Sequence, residues 1–290
     1  MTPRTLVSRL TRLERLNFLL TNRIPRRWAT LFMGWFSRIR HPWVRRPSIA
    51  IWQLFAGDLA LHEARKQHFE SMQDCFTREL RPGARPLDPD PDRLISPCDG
   101  EVGAHGPVNG TEVFQAKGYP YSLEELLEDS EMAERYRDGI FVTLRLRASM
   151  YHRFHAPADC RLEGVTYIPG DTWNVNPVAL RRIDRLFCQN ERAVLELEPA
   201  DHQPKIALVP VAAILVASLR LHCLPEALDL RYRGPRHQPC NATYQRGEEL
   251  GYFQQGSTII VLGERGWAFS AGVEEGATLR MGQPLLERAP

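Results

Sequence analysis

Hydrophobic side chains repeat with a helical spacing in two stretches of the N-terminal third of the chain. In residues 4–20, leucines recur every three, four or seven positions and arginines fall on the opposite side: Leu6, Leu10, Leu13 and Leu20 against Arg4, Arg12 and Arg15. This pattern predicts an amphipathic helix, which could lie flat on a membrane or pack on its own domain. A second stripe, in residues 58–80, predicts a helix that faces the core: Leu61, Ala64, His68, Met72, Phe76 and Leu80.

Farther along the chain the pattern changes to the alternation of apolar and polar positions that strands show. Residues 140–147 and 195–198 alternate in this way. One helix is expected to interrupt this β-rich part of the chain, from Ser122 to Arg137, because Ser122 and Glu125 form a capping box. These elements predict an α+β fold.

The longest apolar run, Ile206 to Leu219, predicts a buried strand. It contains Pro210 and is shorter than the roughly 20 residues that cross a bilayer as a helix. A segment with four prolines, within residues 81–93, is typical of a connection. We therefore predict three parts: a helical region, 1–80, a proline-rich connection, 81–93, and a β-rich domain with few helices, 94–290.

Charge sets the N-terminal region apart from the rest. Residues 1–50 hold eleven arginines and one acidic residue, Glu14, and so carry +10, whereas the whole chain carries only +2. Four of the six tryptophans lie in or just after this segment: Trp28, Trp35, Trp43 and Trp52. Arginine mixed with tryptophan suits an anionic membrane surface. Nucleic acid is the rival partner, but the acidic remainder of the chain and the lack of a nucleic-acid motif argue against it.

The N-terminus lacks the continuous apolar core of a secretory signal, because arginines interrupt it. A mitochondrial transit peptide stays open as a minor alternative. The six cysteines form no Cys-x-x-Cys pair, and we expect them to be reduced and mostly buried.

Gly256, Ser257 and Thr258 form the candidate reactive segment, just before an apolar run. Gly-Ser-Thr is commonly a turn, but Ser257 could also attack the Gly256 carbonyl and cut the chain. Such a nucleophile needs a base and an acid that orients the base. The candidates are His152 or His155 for the base and Asp99 for the acid.

Each of these three residues also has an ordinary interpretation. Asp99 and Gly100 form a common hairpin turn. Histidines three residues apart can bind zinc on a helix, but the helical pattern is poor at His152 and His155 and no third ligand is suitably spaced. We therefore predict no metal site.

Several short motifs, in a fixed order, resemble those of the phosphatidylserine decarboxylases, in particular the bacterial short-form members. The resemblance covers residues 50–286. Its motifs are Phe76-Thr77-Arg78-Glu79-Leu80 with Arg85-Pro86, Asp99-Gly100, Gln115-Ala116-Lys117-Gly118 with Tyr121-Ser122-Leu123, Tyr151-His152-Arg153 with His155, Pro169-Gly170-Asp171, Val175-Asn176, Asn190-Glu191-Arg192, Gly256-Ser257-Thr258 and Gly282-Gln283-Pro284-Leu285.

This resemblance implies that Asp99, His155 and Ser257 form a charge relay for self-cleavage between Gly256 and Ser257. The products would be a β chain, 1–256, and an α chain, 257–290, associated as a heterodimer, with further dimerisation left open. Ser257 would become a covalent pyruvoyl group, the cofactor that forms a Schiff base with the amine of phosphatidylserine. Release of CO2 would then give phosphatidylethanolamine, with His152 as the candidate proton donor.

The division of roles between the two histidines depends on the local backbone. Residues three apart point to opposite faces of a regular strand, so we predict a bend near Pro157. The chain departs from the family pattern at Gln255, where leucine is usual, and at residues 147–150. It also departs at residues 211–213 and 217–218, where alanine replaces a family glycine. None of these departures removes a reacting group.

The resemblance predicts a self-processing enzyme of phospholipid biosynthesis. Its chain would consist of a helical, membrane-associating segment followed by a β-rich catalytic domain. We expect it on the cytoplasmic side of the cell membrane as a peripheral protein. The alternatives are a pyruvoyl decarboxylase of another amine substrate, a relative that binds lipid without processing, and a serine hydrolase. No oxyanion-hole motif accompanies Ser257 to favour the last of these.

Overall fold

The computed structural model describes residues 25–116, 119–215, 218–254 and 258–289. The helix predicted in residues 4–20 lies outside these ranges. Within them the chain is β-rich and has few helices, which confirms the α+β class. The helices are α1 (Arg26–Phe36), α2 (Pro42–Ala56), α3 (Met72–Phe76), α4 (Leu123–Leu127), α5 (Ser130–Arg135), α6 (Pro177–Leu180) and α7 (Leu186–Gln189).

The strands of the described residues pair into four antiparallel sheets. Their bounds are β1 (Leu94–Ile95), β2 (Gly100–Pro107), β3 (Glu112–Ala116), β4 (Tyr119–Ser122), β5 (Ile140–Arg145), β6 (Arg153–His155), β7 (Cys160–Ile168), β8 (Arg192–Pro199), β9 (Ile206–Val211), β10 (Ser218–Leu221), β11 (Leu228–Asp229), β12 (His237–Tyr244), β13 (Glu249–Phe253), β14 (Thr258–Gly263), β15 (Trp267–Phe269), β16 (Thr278–Leu279) and β17 (Pro284–Arg288). The largest sheet has eight strands in the order β12-β7-β8-β9-β14-β5-β2-β16. The others have the orders β11-β10-β13-β6, β1-β17-β15 and β3-β4.

The inner strands β9 and β14 of the eight-stranded sheet are buried on both faces, which explains why the sequence of β14 is almost entirely apolar. Ile259 and Val261 pack into one hydrophobic cluster, and Ile260 and Leu262 into a second, because successive side chains of a strand point to opposite faces. The four-stranded sheet contributes to the first cluster through residues such as Phe154. Helices α4 and α5 contribute to the second.

The predicted helix from Ser122 to Arg137 is confirmed in position but is divided in two. The Ser122 hydroxyl accepts a hydrogen bond from the Glu125 amide at 3.1 Å, which caps α4 as predicted. Glu128 then adopts a left-handed conformation with φ of 52° and ends that helix. Asp129 caps the next one by accepting from the Met132 amide.

The predicted helix over residues 58–80 is wrong. The structure has a 3-10 turn at Leu61–Glu63 and the short α3. The amides of Arg65 and Arg81 bond to the carbonyls of Glu79 and Glu63, so the segment after α3 folds back onto the segment that precedes it. Four residues of the stripe still belong to a small core: Ala64 and Phe76 are buried in it, and Leu61 and Met72 are partly buried against it. The other buried members of this core lie outside the stripe: Trp52, Leu59, Phe69 and Cys75.

The strand predictions are confirmed, but the bounds of the strands differ from those predicted. Residues 140–147 contain β5, and residues 195–198 lie inside β8. The apolar run from Ile206 to Leu219 contains the fully buried β9 and the start of β10. The division of the chain at residues 81–93 remains a prediction.

Candidate active site

Strands β13 and β14 lie on either side of the predicted cleavage site. Gln255, Gly256 and Ser257 are outside the described residues, which stop at Gln254 and resume at Thr258. Strand β13 belongs to the four-stranded sheet, whereas β14 is an inner strand of the eight-stranded sheet. The predicted site therefore lies where the chain passes from one sheet to the other.

Both candidate histidines lie beside β13. Its neighbour β6 pairs His155 with Glu249 and Phe154 with Gly251. His152, just before β6, accepts a hydrogen bond at its carbonyl from the Phe253 amide at 3.0 Å. The pairing of β6 with β13 thus extends toward the predicted cleavage site. His155 lies beside the start of β13 and His152 beside its end.

The segment that contains Asp99 lies along the other side of β6. The His155 amide donates to the Pro97 carbonyl at 2.8 Å, and the Ile95 amide donates to the Pro157 carbonyl at 3.0 Å. Strand β6 ends at His155, two residues before Pro157. Backbone bonds therefore hold Asp99, His152 and His155 in one region of the fold.

His155 has a hydrogen-bond partner at each ring nitrogen. Nδ1 lies 2.9 Å from the Gly247 carbonyl and Nε2 lies 3.0 Å from the Tyr151 hydroxyl. A carbonyl can only accept, so Nδ1 carries the proton, and Nε2 presents its lone pair to the Tyr151 O–H donor. Burial lowers the pKa of His155, while the Gly247 carbonyl, Glu249 and Asp99 oppose the shift. His155 is thus a neutral imidazole with Nε2 as its basic atom.

Asp99 is held by Arg85. The Arg85 Nε donates to Asp99 Oδ1 at 2.8 Å, and Nη2 donates to Oδ2 at 2.6 Å. The Met281 amide also donates to Oδ1, at 2.9 Å. Both side chains are almost fully buried, and this two-bond fork is the strongest geometry for an arginine–carboxylate pair.

Among the described residues, Asp99 and His155 share no hydrogen bond. They are connected through other residues: the guanidinium carbon of Arg85 lies 6.0 Å from the centroid of the Tyr151 ring, and Tyr151 contacts His155. Sequence reasoning did not single out Arg85 or Tyr151 as site residues. Both do stand in family-like motifs, Arg85-Pro86 and Tyr151-His152-Arg153, which was the available signal.

His152 has a different environment. It is fully buried, and its Nδ1 lies 2.8 Å from the Met150 carbonyl, so Nδ1 carries the proton. Its Nε2 has no partner in the part of the chain that the structure describes. Burial, followed by the nearby Arg78 charge, lowers the pKa of His152 to about 3. His152 is therefore neutral, with an unused lone pair.

An apolar cavity lies close to His152 and Thr258. Its volume is about 430 Å³. Phe76 lines it, and the ring centroid of Phe76 is 4.0 Å from that of His152. Arg145 also lines it, and Arg145 pairs with Thr258 across β5 and β14. The rest of the lining is mainly apolar and includes Met33, Trp52, Met72, Ala213, Ile214 and Leu215, with Asn174 and Asn176.

A buried neutral imidazole such as His152 beside an apolar cavity suits an enzyme that moves protons on a largely apolar substrate. The family model of phosphatidylserine decarboxylase matches residues 72–287. The chain belongs to the phosphatidylserine decarboxylase family.

Curated relatives resemble the chain over most of its length. It is 39% identical over 271 residues to a protein of Halorhodospira halophila, covering 90% of each chain. It is 37% identical over 234 residues to one of Brevibacillus brevis, covering 79% of this chain and 82% of the relative. It is 33% identical over 273 residues to one of Saccharophagus degradans, covering 91% and 94%. Each relative is named phosphatidylserine decarboxylase proenzyme.

Proposed function

We propose that this protein is a self-processing decarboxylase that converts phosphatidylserine to phosphatidylethanolamine and CO2 in phospholipid biosynthesis. One observation carries the proposal beyond family membership. The strand that enters the predicted cleavage site is hydrogen-bonded to a segment with two buried neutral imidazoles, His152 and His155. Self-cleavage and decarboxylation each need a proton acceptor, and the two rings have different environments.

In the self-cleavage step, the Ser257 hydroxyl attacks the Gly256 carbonyl and His155 Nε2 accepts the hydroxyl proton. The Gly256–Ser257 amide bond then breaks as that proton passes to the Ser257 nitrogen, and an ester remains. Elimination across the Ser257 Cα–Cβ bond breaks the ester, and the resulting dehydroalanine tautomerises and loses ammonia to water, which leaves the pyruvoyl group. The Gly247 carbonyl holds Nδ1–H and so keeps the lone pair on Nε2. The Tyr151 hydroxyl must turn away from Nε2 for the proton to arrive. Asp99 acts through its charge, because it and Glu249 favour the imidazolium that forms.

A pyruvoyl group derived from Ser257 supplies the electron-accepting carbonyl that decarboxylation requires. The described residues fit such a group, because an unpartnered buried nitrogen, His152 Nε2, lies close to the cavity lined by Phe76. The carbon that CO2 has left must receive a proton from a positioned group, and His152 Nε2 is the candidate atom to deliver it. A pKa of about 3 makes His152 a poor acid reservoir at neutral pH unless the reaction itself protonates it.

The β and α chains would stay together without a covalent link. Residues 257–290 would contain β14 to β17. Strand β14 lies between β5 and β9, β16 pairs with β2, and β17 pairs with β1. The smaller chain is therefore part of the core, and we propose that the mature enzyme is a heterodimer of the two chains.

The substrate would reach the cavity from an anionic membrane. Helices α1 and α2 expose large apolar side chains: Trp28, Phe32, Trp35, Trp43, Ile51, Leu54 and Phe55. Met33 of α1 and Trp52 of α2 also line the 430 Å³ cavity. The two helices that expose the apolar face therefore also contribute side chains to the wall of the cavity. Together with the arginines of residues 1–50, this face supports peripheral binding on the cytoplasmic side of the cell membrane.

None of the helices in the described ranges is both long and apolar enough to cross a bilayer. The membrane proposal can be tested with the purified protein and vesicles. We expect binding to anionic vesicles that weakens as salt rises, because salt screens surface charge. Equal binding to neutral vesicles would contradict the electrostatic part of the proposal.

Intact-mass analysis of the purified protein tests the processing proposal. We expect two fragments that meet at Gly256 and Ser257, the smaller one blocked to Edman sequencing because it begins with a ketone. Ser257→Ala should remain a single chain. A full-length protein that decarboxylates phosphatidylserine without cleavage would overturn the pyruvoyl mechanism. Activity on a free amino acid but not on phosphatidylserine would instead favour another amine substrate.

A further inference from the structure

Two cysteines far from the histidines lie against each other. The Sγ atoms of Cys223 and Cys240 are 2.7 Å apart. All six cysteines lie in the described ranges, and this is the one pair among them with sulfur atoms in hydrogen-bond contact. A disulfide has a sulfur–sulfur distance of about 2.05 Å, so forming the bond needs a sulfur movement of well under 1 Å.

The backbone around each cysteine favours this approach. Cys223 lies in the turn after β10, where the Leu224 amide donates to the Leu221 carbonyl. Cys240 lies in β12, at the register shift between Pro239 and Ala242 in its pairing with β7. An irregularity of this kind re-aims a side chain. Both cysteines are half-buried, so a small molecule in solvent can reach the pair.

We propose that Cys223 and Cys240 form a dithiol modification site that a small-molecule disulfide oxidises reversibly to an intramolecular disulfide. Burial and the Cys223 sulfur raise the pKa of Cys240. The thiolate of one cysteine attacks one sulfur of the reagent, forms a mixed disulfide and releases one thiolate. The other cysteine then attacks the sulfur of the first, loses its proton and releases a second thiolate. The two cysteines are oxidised, and the reagent is reduced to two thiols.

The bond would link two different sheets. Strand β12 is an edge of the eight-stranded sheet, and Cys223 follows β10 of the four-stranded sheet, which carries β13 and β6. The cysteines are 17 positions apart, so the disulfide closes a short loop and restricts the unfolded chain. Both precede residue 256, so the bond would lie within the larger fragment and would not join the two proposed chains. The site is therefore independent of the proposed function.

The test uses the full protein treated with oxidised glutathione, alkylated and digested with trypsin without reductant. Trypsin cuts between the two cysteines, at arginines 231, 233 and 236. We expect peptide 221–231 joined to peptide 237–246, with the loss of two hydrogens, and release of both peptides by dithiothreitol. We also expect an upward shift of roughly 5 °C in the thermal midpoint of the oxidised protein.

Cys223→Ser and Cys240→Ser should each abolish the joined peptide and the shift in midpoint. Cys188→Ser is the matched control, because Cys188 is also half-buried, and it should change neither result. A stable glutathione adduct on Cys223 with no joined peptide would overturn the proposal. So would cross-links of either cysteine to Cys188 at equal yield.

Discussion

His152 and His155 are three residues apart, yet their surroundings differ in kind. Both ring nitrogens of His155 have partners, and two carboxylates, Glu249 and Asp99, favour its charged form. The ring of His152 lies against the ring of Phe76 at a tilt, has Arg78 nearby and leaves Nε2 without a partner in the described chain. The two histidines thus differ in their surroundings and not in residue type. The carboxylates near His155 stabilise its protonated form, whereas His152 has that free nitrogen beside an apolar cavity.

The largest expected effect is on self-cleavage. His155→Ala removes the base of the proposed charge relay. We therefore expect the chain to remain uncut on a denaturing gel, which corresponds to a loss in cleavage rate of at least about 10³-fold. His152→Ala should still be cut. If instead His152→Ala stays whole and His155→Ala is cut, the roles of the two histidines are reversed.

Next in size is the effect of His152 on the decarboxylation itself. In the cleaved His152→Ala protein we expect CO2 release from phosphatidylserine to fall by roughly 10² to 10⁴-fold, the usual contribution of a positioned acid or base. The release should be measured on purified two-chain protein, so that slow maturation does not count as slow turnover. Turnover like that of the parent protein would remove His152 from the mechanism.

The stability of the fold in acid should depend on His152. The folded pKa of His152, about 3, lies below its unfolded value of 6.5, so the unfolded state binds more protons between these values. Stability from the neutral ring is therefore present above pH 6.5 and is lost as pH falls toward 3. We expect His152→Gln, which cannot titrate, to lose less stability than the parent between pH 6.5 and 4, by roughly 1–3 kcal/mol. Urea unfolding at several pH values measures this, and parallel curves for the two proteins would contradict it.

The smallest expected effect concerns the Tyr151 hydroxyl. Its hydrogen bond to His155 Nε2 stabilises the neutral ring, so Tyr151→Phe should make His155 more basic. We expect self-cleavage to become faster, by no more than about tenfold, with its pH midpoint moved upward. Slower cleavage with an unchanged midpoint would mean that Tyr151 relays the proton rather than covering the base.

Local signals in the sequence were enough for the strands and for the cap at Ser122, because alternation and capping depend on neighbouring residues. They failed at residues 58–80, where the bonds of Arg65 and Arg81 to distant carbonyls decide the backbone. The same limit applies to the site. Sequence order and resemblance selected Asp99, His152 and His155, but the fork between Arg85 and Asp99 is a tertiary contact without a periodic pattern. The charge relay with Ser257 stays a prediction, since Ser257 lies outside the described residues.

The position of β14 between β5 and β9 has a consequence for the lifetime of the mature enzyme. The precursor folds as one molecule, so its unfolding midpoint is independent of protein concentration. After cleavage an inner strand belongs to a separate chain, and refolding requires two molecules to meet. The unfolding midpoint of the two-chain form then rises with concentration, and dilution opposes renaturation. At low protein concentration the mature enzyme would thus unfold without refolding, whereas the precursor would unfold and refold reversibly.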